Sequence, residues 1–207
     1  MGSSLRADSV VPRLRGRFGH PYVFAEVCPS TQKLLGDEHG EGAVALTEEQ
    51  TEGRGRLGRT WISPPGVSLL FSVLLEPPVE TARLPELTVV AGEAVHEAIA
   101  EVTGLAPEIK LPNDILVLGR KTAGILAEAR DGRVVLGIGV NVNVSTPDLP
   151  HGTARHASRR RLPRSDPVVL RVVLEFDQAE VLEKRWDVHG EPASITLAQP
   201  VPPTYRV

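Results

Sequence analysis

The sequence predicts an α+β fold, in which a largely antiparallel sheet carries helices packed on it. Short apolar runs joined by turn residues recur between Lys110 and Asn143, which is the pattern of consecutive β-hairpins. Apolar residues also recur at helical spacing over residues 84–102 and over residues 168–188. The chain has 207 residues, so it is long enough to bury one sizeable core around such a sheet.

The first part of the chain contains three predicted strands and one short helix. Tyr22–Val27, Ala43–Leu46 and Ser68–Leu75 are apolar, strand-like runs. Ser30 has a side chain that is preferred at helix N-caps, which predicts a helix beginning there. The segment Ser30-Thr31-Gln32 has two interpretations. It is either a helix cap alone or a set of hydroxyl and amide groups that bind a ligand head group.

A long connection, Glu48–Gly66, separates the second and third of these strands. Ordinary strand connections are short, so this length indicates a functional loop. Its glycines free the backbone, and its arginines carry planar guanidinium groups that suit carboxylates and phosphates. These residues are Gly53, Arg54, Gly55, Arg56, Gly58 and Arg59. The pattern predicts a loop that closes over an anion, with a flexible linker or a nucleic-acid contact as the alternative.

A second group of polar residues lies in the predicted hairpins. Turns predicted at Gly119-Arg120 and Asp131-Gly132 place three strands side by side. Polar side chains then converge at the ends of neighbouring strands: Lys110, Asn113, Asp114, Lys121, Asn141 and Asn143. Turn chemistry explains such residues singly. A lysine, an aspartate and several amides beside glycine-rich strands together favour a ligand site.

The C-terminal part of the chain is predicted to add little to that site. Residues 145–164 are an irregular connection with a basic run, for which a solvated face is the default interpretation. Asp166-Pro167 predicts the start of a helix over residues 168–188. A short strand at residues 194–197 and a proline-rich tail complete the chain.

Composition excludes several classes of protein. A net charge of −3 gives no whole-chain reason to expect nucleic acid or an anionic membrane as a partner. No apolar run approaches the roughly 20 residues that span a bilayer, and no secretory signal is evident. The single cysteine, Cys28, excludes an internal disulfide and fits a reducing compartment. We therefore expect a cytoplasmic protein whose residues 1–19 form a loosely held, flexible basic arm.

With these residues identified, the chain resembles the biotin protein ligases, also called biotin–acetyl-CoA-carboxylase ligases. The resemblance runs from Ser30 to Asn143 through five ordered blocks. The most specific block ends with GRGRLGRTW, and all five are Ser30–Gln32, Gln50–Trp61, Lys110–Asp114, Lys121–Leu126 and Gly137–Asn143.

The resemblance implies a fold related to class II aminoacyl-tRNA synthetases, with a mixed, mostly antiparallel sheet. It also implies a ligase that uses biotin, ATP and Mg²⁺. The biotin carboxylate would attack the α-phosphate of ATP, giving biotinyl-5′-AMP and pyrophosphate. A lysine of a biotin carboxyl carrier protein domain, in acetyl-CoA carboxylase or a related carboxylase, would then accept the biotinyl group and release AMP.

The resemblance also assigns roles to individual residues. Lys121 is expected to meet the biotin carboxylate and the α-phosphate as the main catalytic cation, assisted by Arg54 and Arg56. The positions expected to bind biotin are Ser30, Thr31, Gln32, Gln50, Arg54, Gly55, Arg56, Lys121 and Gly124. The positions expected to bind ATP or the adenylate are Arg56, Arg59, Trp61, Asn113, Asp114, Lys121 and Asn143, with Asp114 as a Mg²⁺ ligand.

Three departures from the family pattern are visible. Leu111 stands where the family usually has Trp, and Gln32 stands where Asn is commoner. Most members continue into a small SH3-like barrel, whereas here a tail at 190–207 follows a predicted catalytic domain at 20–189. Because no room precedes Tyr22 for a helix-turn-helix, we expect no sequence-specific DNA binding. The family also uses exposed sheet edges to dimerise, so a homodimer is one assembly that the resemblance allows.

Three other functions stay open at this point. The first is a lipoate or octanoate protein ligase or transferase of the same superfamily, against which the GRGRLGRTW string argues. The second is a degenerate homologue that binds biotin without transferring it. The third is an RNA-binding module, for which the aromatic content of 4% and the negative net charge are unfavourable.

Overall fold

The computed structural model describes residues 5–14, 16–77 and 84–144, which build an open seven-stranded sheet with one long helix against it. The strands are β1 (Tyr22–Cys28), β2 (Val44–Gln50), β3 (Ser68–Leu75), β4 (Pro107–Lys110), β5 (Asp114–Val117), β6 (Arg120–Arg130) and β7 (Arg133–Asn141), and the helices are α1 (Ala7–Val10) and α2 (Leu84–Thr103). The spatial order is β1-β2-β3-β7-β6-β5-β4. Only β1 and β2 are parallel, which confirms the predicted α+β fold with a mixed, mostly antiparallel sheet.

The centre of the sheet is buried on both faces. All 8 residues of β3 are buried, which explains why its sequence is apolar throughout instead of alternating. On one face, Leu69, Phe71 and Val73 join the core formed with α2. On the other face, Leu74 packs with Leu35, which follows a 3₁₀ turn at Thr31–Leu34. This two-sided burial makes the sheet a rigid base for the groups at its edge.

The predicted amphipathic helix is confirmed as α2. It ends at Thr103. The next residue, Gly104, has φ of +66°, a left-handed conformation that favours glycine, and its N–H donates to the Ala100 carbonyl at 2.8 Å. His96 on this helix is half-buried, with Nε2 3.0 Å from the Pro107 carbonyl oxygen, because β4 passes beside this part of the helix.

Two tight turns connect the strands of the hairpin region. The predicted turn at Asp131-Gly132 is confirmed, with φ of +50° and +79°. The other turn lies at Leu118-Gly119, one residue earlier than predicted, with φ of +53° and +68°. Both follow the two-residue pattern with positive φ that suits the twist of a hairpin. Leucine rarely adopts positive φ, which is why the sequence pointed to Gly119-Arg120 instead.

The N-terminal segment is not a loose arm, so that prediction is wrong for the residues described here. Leu5, Val10 and Phe18 are 2%, 0% and 5% exposed and belong to the main core. The phenol of Tyr22 donates a hydrogen bond to the Leu5 carbonyl at 2.6 Å, which ties the segment to β1. Apolar side chains recur every four to five residues in this segment and form its buried face. The prediction of a loose arm did not take this spacing into account.

The short helix predicted from Ser30 is a 3₁₀ turn at Thr31–Leu34, and the Ser30 side chain makes no capping hydrogen bond to it. The predicted helix at 168–188, the strand at 194–197 and the basic run lie outside the described residues, so the division at residue 189 stays a prediction. Within the residues that the structure describes, no helix is long and apolar enough to cross a membrane.

The environment of Tyr22 predicts a specific dependence of stability on pH. Burial, and secondarily the carboxylate of Glu48, raise the pKa of the Tyr22 phenol above its ordinary value of about 10. The unfolded chain therefore loses this proton at a lower pH than the folded chain. The stability that the neutral phenol contributes is complete below about pH 10 and is lost as the pH rises above it.

We expect the free energy of unfolding to fall more steeply above about pH 10 in the parent chain than in Tyr22→Phe, because phenylalanine has no proton to lose. The slope that distinguishes them is at most about 1.4 kcal/mol per pH unit. Urea unfolding of both proteins from about pH 8 to pH 11 measures this slope. Parallel pH profiles for the two proteins would contradict the assignment.

Candidate active site

A single cleft of about 820 Å³ brings together nearly all of the predicted site residues. Its floor is the sheet at β5, β6 and β7, one end is the 3₁₀ turn after β1, and the loop between β2 and β3 covers it. The predicted residues that line it are Ser30, Thr31, Gln32, Gln50, Arg54, Gly55, Arg56, Arg59, Trp61, Asn113, Asp114, Lys121 and Gly124. All five sequence blocks therefore contribute residues to one cleft, as predicted from the polar residues at the ends of neighbouring strands.

The end of the cleft beside β2 is built from hydroxyl and amide groups. The backbone N–H of Thr31 donates to Gln50 Oε1 at 2.8 Å, and the Thr31 hydroxyl lies 2.7 Å from the hydroxyl of Ser72. Ser30 and Thr31 are each only 2% exposed. Because Gln50 uses its carbonyl oxygen on Thr31, its amide N–H groups are the donors left to face a ligand.

Gln32 has a more structural position than predicted. Its amide nitrogen donates to the Val135 carbonyl at 3.1 Å and to the Leu126 carbonyl at 3.3 Å. The side chain fits because residue 137 is glycine, where a Cβ atom would lie 3.0 Å from Gln32 Cδ. Gln32 therefore fastens the 3₁₀ turn to β6 and β7, and only its carbonyl oxygen is left for a ligand.

Trp61 packs flat against the sheet, and two glycines make this possible. A Cβ atom at Gly139 would lie 2.6 Å from the indole ring, and one at Gly124 would lie 2.8 Å from it. Atoms that close cannot coexist, so any side chain at these positions would move the ring. The glycine-rich pattern of β6 and β7 thus has a defined cause: it makes room for the aromatic anchor of the loop.

Lys121 and Asp114 form the charged centre of the cleft. Lys121 Nζ lies 2.7 Å from Asp114 Oδ1, and the two side chains are 26% and 22% exposed. The same ammonium lies 5.4 Å from the centroid of the Trp61 ring, within cation–π range. The lysine is therefore held between a carboxylate and an aromatic face, with its position fixed before any ligand arrives.

Arg56 and Asn113 connect the loop to the sheet across the cleft. Asn113 donates through Nδ2 to the Ile125 carbonyl at 3.2 Å and accepts a hydrogen bond from Arg56 at 3.3 Å through Oδ1. Both hydrogen-bonding ends of the amide are thus used, which orients the side chain. Arg56 therefore reaches from the loop to the sheet and lines the same cleft as Lys121 and Asp114.

The loop itself is a small hairpin, which the sequence did not predict. The Trp61 N–H donates to the Gly53 carbonyl at 2.9 Å, and the Gly55 N–H donates to the Arg59 carbonyl at 2.7 Å. Arg54 lies opposite Thr60 in an isolated antiparallel bridge. The guanidinium of Arg54 points to a carboxylate, with Nη2 2.6 Å from Glu128 Oε2 on β6. Arg59 is exposed at the hairpin's end.

Asn143 does not line the cleft, so the structure does not place it with the other predicted residues. Its backbone N–H donates to the Val67 carbonyl at 2.8 Å beyond the end of β7. Asn141 lines the cleft instead, and its side chain accepts from Ser68 and donates to the Lys121 carbonyl. Lys110 also lines the cleft. Asn141 and Lys110 belong to the polar residues predicted to meet at the ends of neighbouring strands, but no individual role was predicted for either of them.

The packing of Trp61 on β7 predicts that Gly139→Ala displaces the loop. The new methyl group would occupy space filled by the indole ring, so we expect Trp61 emission to shift to longer wavelength and the free energy of unfolding to fall by about 1–3 kcal/mol. Fluorescence in a Trp186→Phe background isolates Trp61. Gly92→Ala is the matched control, since its Cβ atom would meet only Ile125 Cδ1 at 3.7 Å. Equal spectra for the two variants would contradict the packing argument.

Comparison with known proteins identifies the family. The Biotin/lipoate A/B protein ligase family matches residues 24–145, a span that includes every residue lining the cleft. The bifunctional ligase/repressor BirA of Bacillus subtilis is 40% identical over 141 residues, covering 64% of this chain and 43% of that protein. The biotin–[acetyl-CoA-carboxylase] ligase of Mycobacterium tuberculosis is 33% identical over 152 residues, covering 70% of this chain and 56% of that protein.

A solved structure supports the same assignment. The biotin protein ligase of Aquifex aeolicus in complex with biotin and ATP has a TM-score of 0.64 and 31% identity, covering 76% of this chain and 69% of that one. The chain spans about half the length of the two curated relatives. Because the family match covers more than half of its 207 residues, the chain belongs to the biotin/lipoate A/B protein ligase family.

Proposed function

We propose that this protein attaches biotin to a lysine of a biotin carboxyl carrier protein, using ATP and passing through biotinyl-5′-AMP. The observation that carries the proposal is the composition of the cleft. A hydroxyl and amide end lies beside a centre where Lys121, Asp114 and Arg56 converge, within a volume that suits a ligand of this size. The names of the Bacillus and Mycobacterium relatives, and the biotin and ATP in the Aquifex structure, support the same reaction.

The first step requires two anions to meet. An oxygen of the biotin carboxylate attacks the α-phosphorus of ATP, the new C(O)–O–P bond forms, and the bond to pyrophosphate breaks. Cations placed at the reacting phosphate lower the repulsion and stabilise the charge that develops in the transition state. Lys121 supplies this cation in our proposal, and Arg56 supplies a second one from the loop.

The polar end of the cleft fits the head group of biotin. A ureido ring has one carbonyl acceptor and two N–H donors, so it needs partners of both kinds. Ser30 and Thr31 offer hydroxyl groups, Gln50 offers amide N–H groups, and Gln32 offers its carbonyl oxygen. Gly124 lies on the cleft floor beneath Trp61 and beside Lys121, and Gly55 allows close approach of the loop backbone.

Mg²⁺ enters this proposal together with ATP. Among the described residues no three His, Cys, Asp or Glu side chains are grouped as a protein-only metal site would need. Asp114 is the carboxylate on the cleft lining, and Mg²⁺ commonly binds one or two carboxylates together with substrate phosphates and water. The donor set therefore fits a nucleotide-bound ion, which would shield phosphate charge, with Asp114 on the protein side.

The second step transfers the acyl group to the carrier. The amine of the carrier lysine attacks the carbonyl carbon of the mixed anhydride, a C–N bond forms, the C–O bond breaks, and AMP leaves while the amine loses a proton. Water would hydrolyse the same anhydride. The loop hairpin covers the cleft, so in this proposal it also limits the access of water to the intermediate. We expect these steps to occur in the cytoplasm.

The choice of acid is the most direct test of the proposal. The purified chain is mixed with MgATP and biotin, lipoate or octanoate, and the products are identified by mass spectrometry. We expect biotinyl-AMP, and no adenylate of the other two acids, because the polar end suits a ureido ring and the two fatty acids lack one. A lipoyl or octanoyl product would assign the lipoate branch of the family. No adenylate from a folded protein would favour the degenerate binder.

The role of Lys121 predicts a large loss of rate on its removal. Lys121→Ala should slow single-turnover adenylate formation by about 10²–10³-fold, since one preorganised charge at a reacting centre contributes about that much. Lys33→Ala is the control, because Lys33 is an exposed lysine paired with Glu52 outside the cleft lining. Equal adenylation rates for Lys121→Ala and the parent chain would remove Lys121 from the mechanism.

A further inference from the structure

Glu128 is a charged residue beside the cleft to which neither the family resemblance nor the reaction gives a role. It lies on β6, four residues after Gly124, so the pleat places Gly124, Leu126 and Glu128 on the same face of the sheet. Gly124 lies under Trp61 inside the cleft. Glu128 is not on the cleft lining but lines an adjoining groove of about 700 Å³ together with residues of the loop. The loop therefore contacts this strand at two places, through Trp61 at Gly124 and through Arg54 at Glu128.

The carboxylate of Glu128 holds the hairpin through Arg54. Its Oε2 lies 2.6 Å from Arg54 Nη2, and the two side chains are 30% and 44% exposed. Arg54 is part of the bridge to Thr60, and the neighbouring rungs join Gly55 to Arg59 and Gly53 to Trp61. Because the rungs fix these residues relative to one another, a contact at Arg54 restrains the whole hairpin.

The ion pair between Arg54 and Glu128 also indicates that Arg54 and Arg56 have different roles, although both belong to the same glycine- and arginine-rich motif. Arg56 contacts Asn113 and lines the cleft together with Lys121 and Asp114. Arg54 already has a carboxylate partner at hydrogen-bond distance, so its charge is largely compensated before an anionic ligand enters. Its guanidinium is thus placed to fasten the loop, and the expectation that it serves as a catalytic cation is not needed to explain its presence.

We propose that Glu128 is a positioning residue, which keeps the loop closed through Arg54 and so sets how long the acyl adenylate stays bound. This inference rests on the proposed ligase function for its ligand, but its first consequence concerns the protein without ligand. Ion pairs at this level of exposure shift an equilibrium modestly. We therefore expect loss of the pair to increase loop opening and adenylate release by up to about fivefold.

The experiment compares Glu128→Gln, Arg54→Gln and the double variant with the parent chain. Hydrogen exchange of the Gly55 and Trp61 amides, which donate inside the hairpin, reports loop opening in the absence of ligand. The rate at which biotinyl-AMP formed in one turnover leaves the protein reports retention. Both quantities should rise in each single variant, and the double variant should show no further rise, because the residues act through one contact.

Glu41→Gln is the matched control. Glu41 pairs with Arg17 at 3.1 Å, and the two side chains are 38% and 42% exposed, so the same kind of exposed ion pair is lost away from the loop. This variant should leave loop exchange and adenylate release at the parent values. A change in Glu128→Gln that Glu41→Gln also shows would be a general effect of lost surface charge and would overturn the proposal.

Two further results separate the possible failures. If Arg54→Gln speeds release and Glu128→Gln does not, Arg54 contacts the ligand directly and the role of Glu128 is rejected. If the parent chain forms no adenylate but both single variants raise loop exchange without additivity, the ligase proposal fails while the contact between Arg54 and Glu128 is upheld as the restraint on the loop.

Discussion

The contact on which the site depends is the packing of the Trp61 ring against backbone that has no side chains. Gly124 and Gly139 lie on neighbouring strands, and a Cβ atom on either would come within 2.8 Å of the indole. This constraint brings a loop that connects β2 and β3 onto the face of β6 and β7. The contacts of Arg54 with Glu128 and of Arg56 with Asn113 add to this anchor and help to place the arginines relative to Lys121.

Each cation near the reacting centre is positioned by a partner that differs in chemistry. Lys121 is paired with the carboxylate of Asp114, and the amide of Asn113 is one partner of Arg56. The same amide donates to the Ile125 carbonyl, so the sheet helps to position the guanidinium. Preorganised charges of this kind need little rearrangement when negative charge develops, which is how electrostatic catalysis gains most of its effect.

Much of the fold could be predicted from sequence because local pattern and tertiary structure agree. Strong local sequence signals predict three of its elements: the turn at Asp131-Gly132, the apolar strand β3 and the helix α2, which Gly104 follows. The misses occur where tertiary contact decides the outcome. Leu118 adopts positive φ, and Leu5 is buried in the core and accepts a hydrogen bond from Tyr22. Neither feature can be read from the spacing of residues along the chain.

The site was predicted at the level of which residues meet, but not of what each one does. Gln32 and Gln50 have the same side chain and both line the cleft, yet Gln32 spends its amide donors on two backbone carbonyls and Gln50 spends its acceptor on Thr31. One is therefore left as an acceptor and the other as a donor. A ring with both N–H and carbonyl groups needs one of each, so the complementary use of two identical residues gives this end of the cleft a direction.

Gln32 combines attachment of the 3₁₀ turn and contact with a ligand in one amide group. Shortening it to asparagine would change the reach to Val135 and Leu126 as well as the oxygen offered to a ligand, because one amide performs both tasks. Gln50 also combines the two tasks, because the amide that offers its N–H groups to a ligand accepts a hydrogen bond from the backbone of Thr31. Recognition at this end therefore depends on the same hydrogen bonds that attach the 3₁₀ turn to the sheet, and ligand affinity and local stability are coupled there.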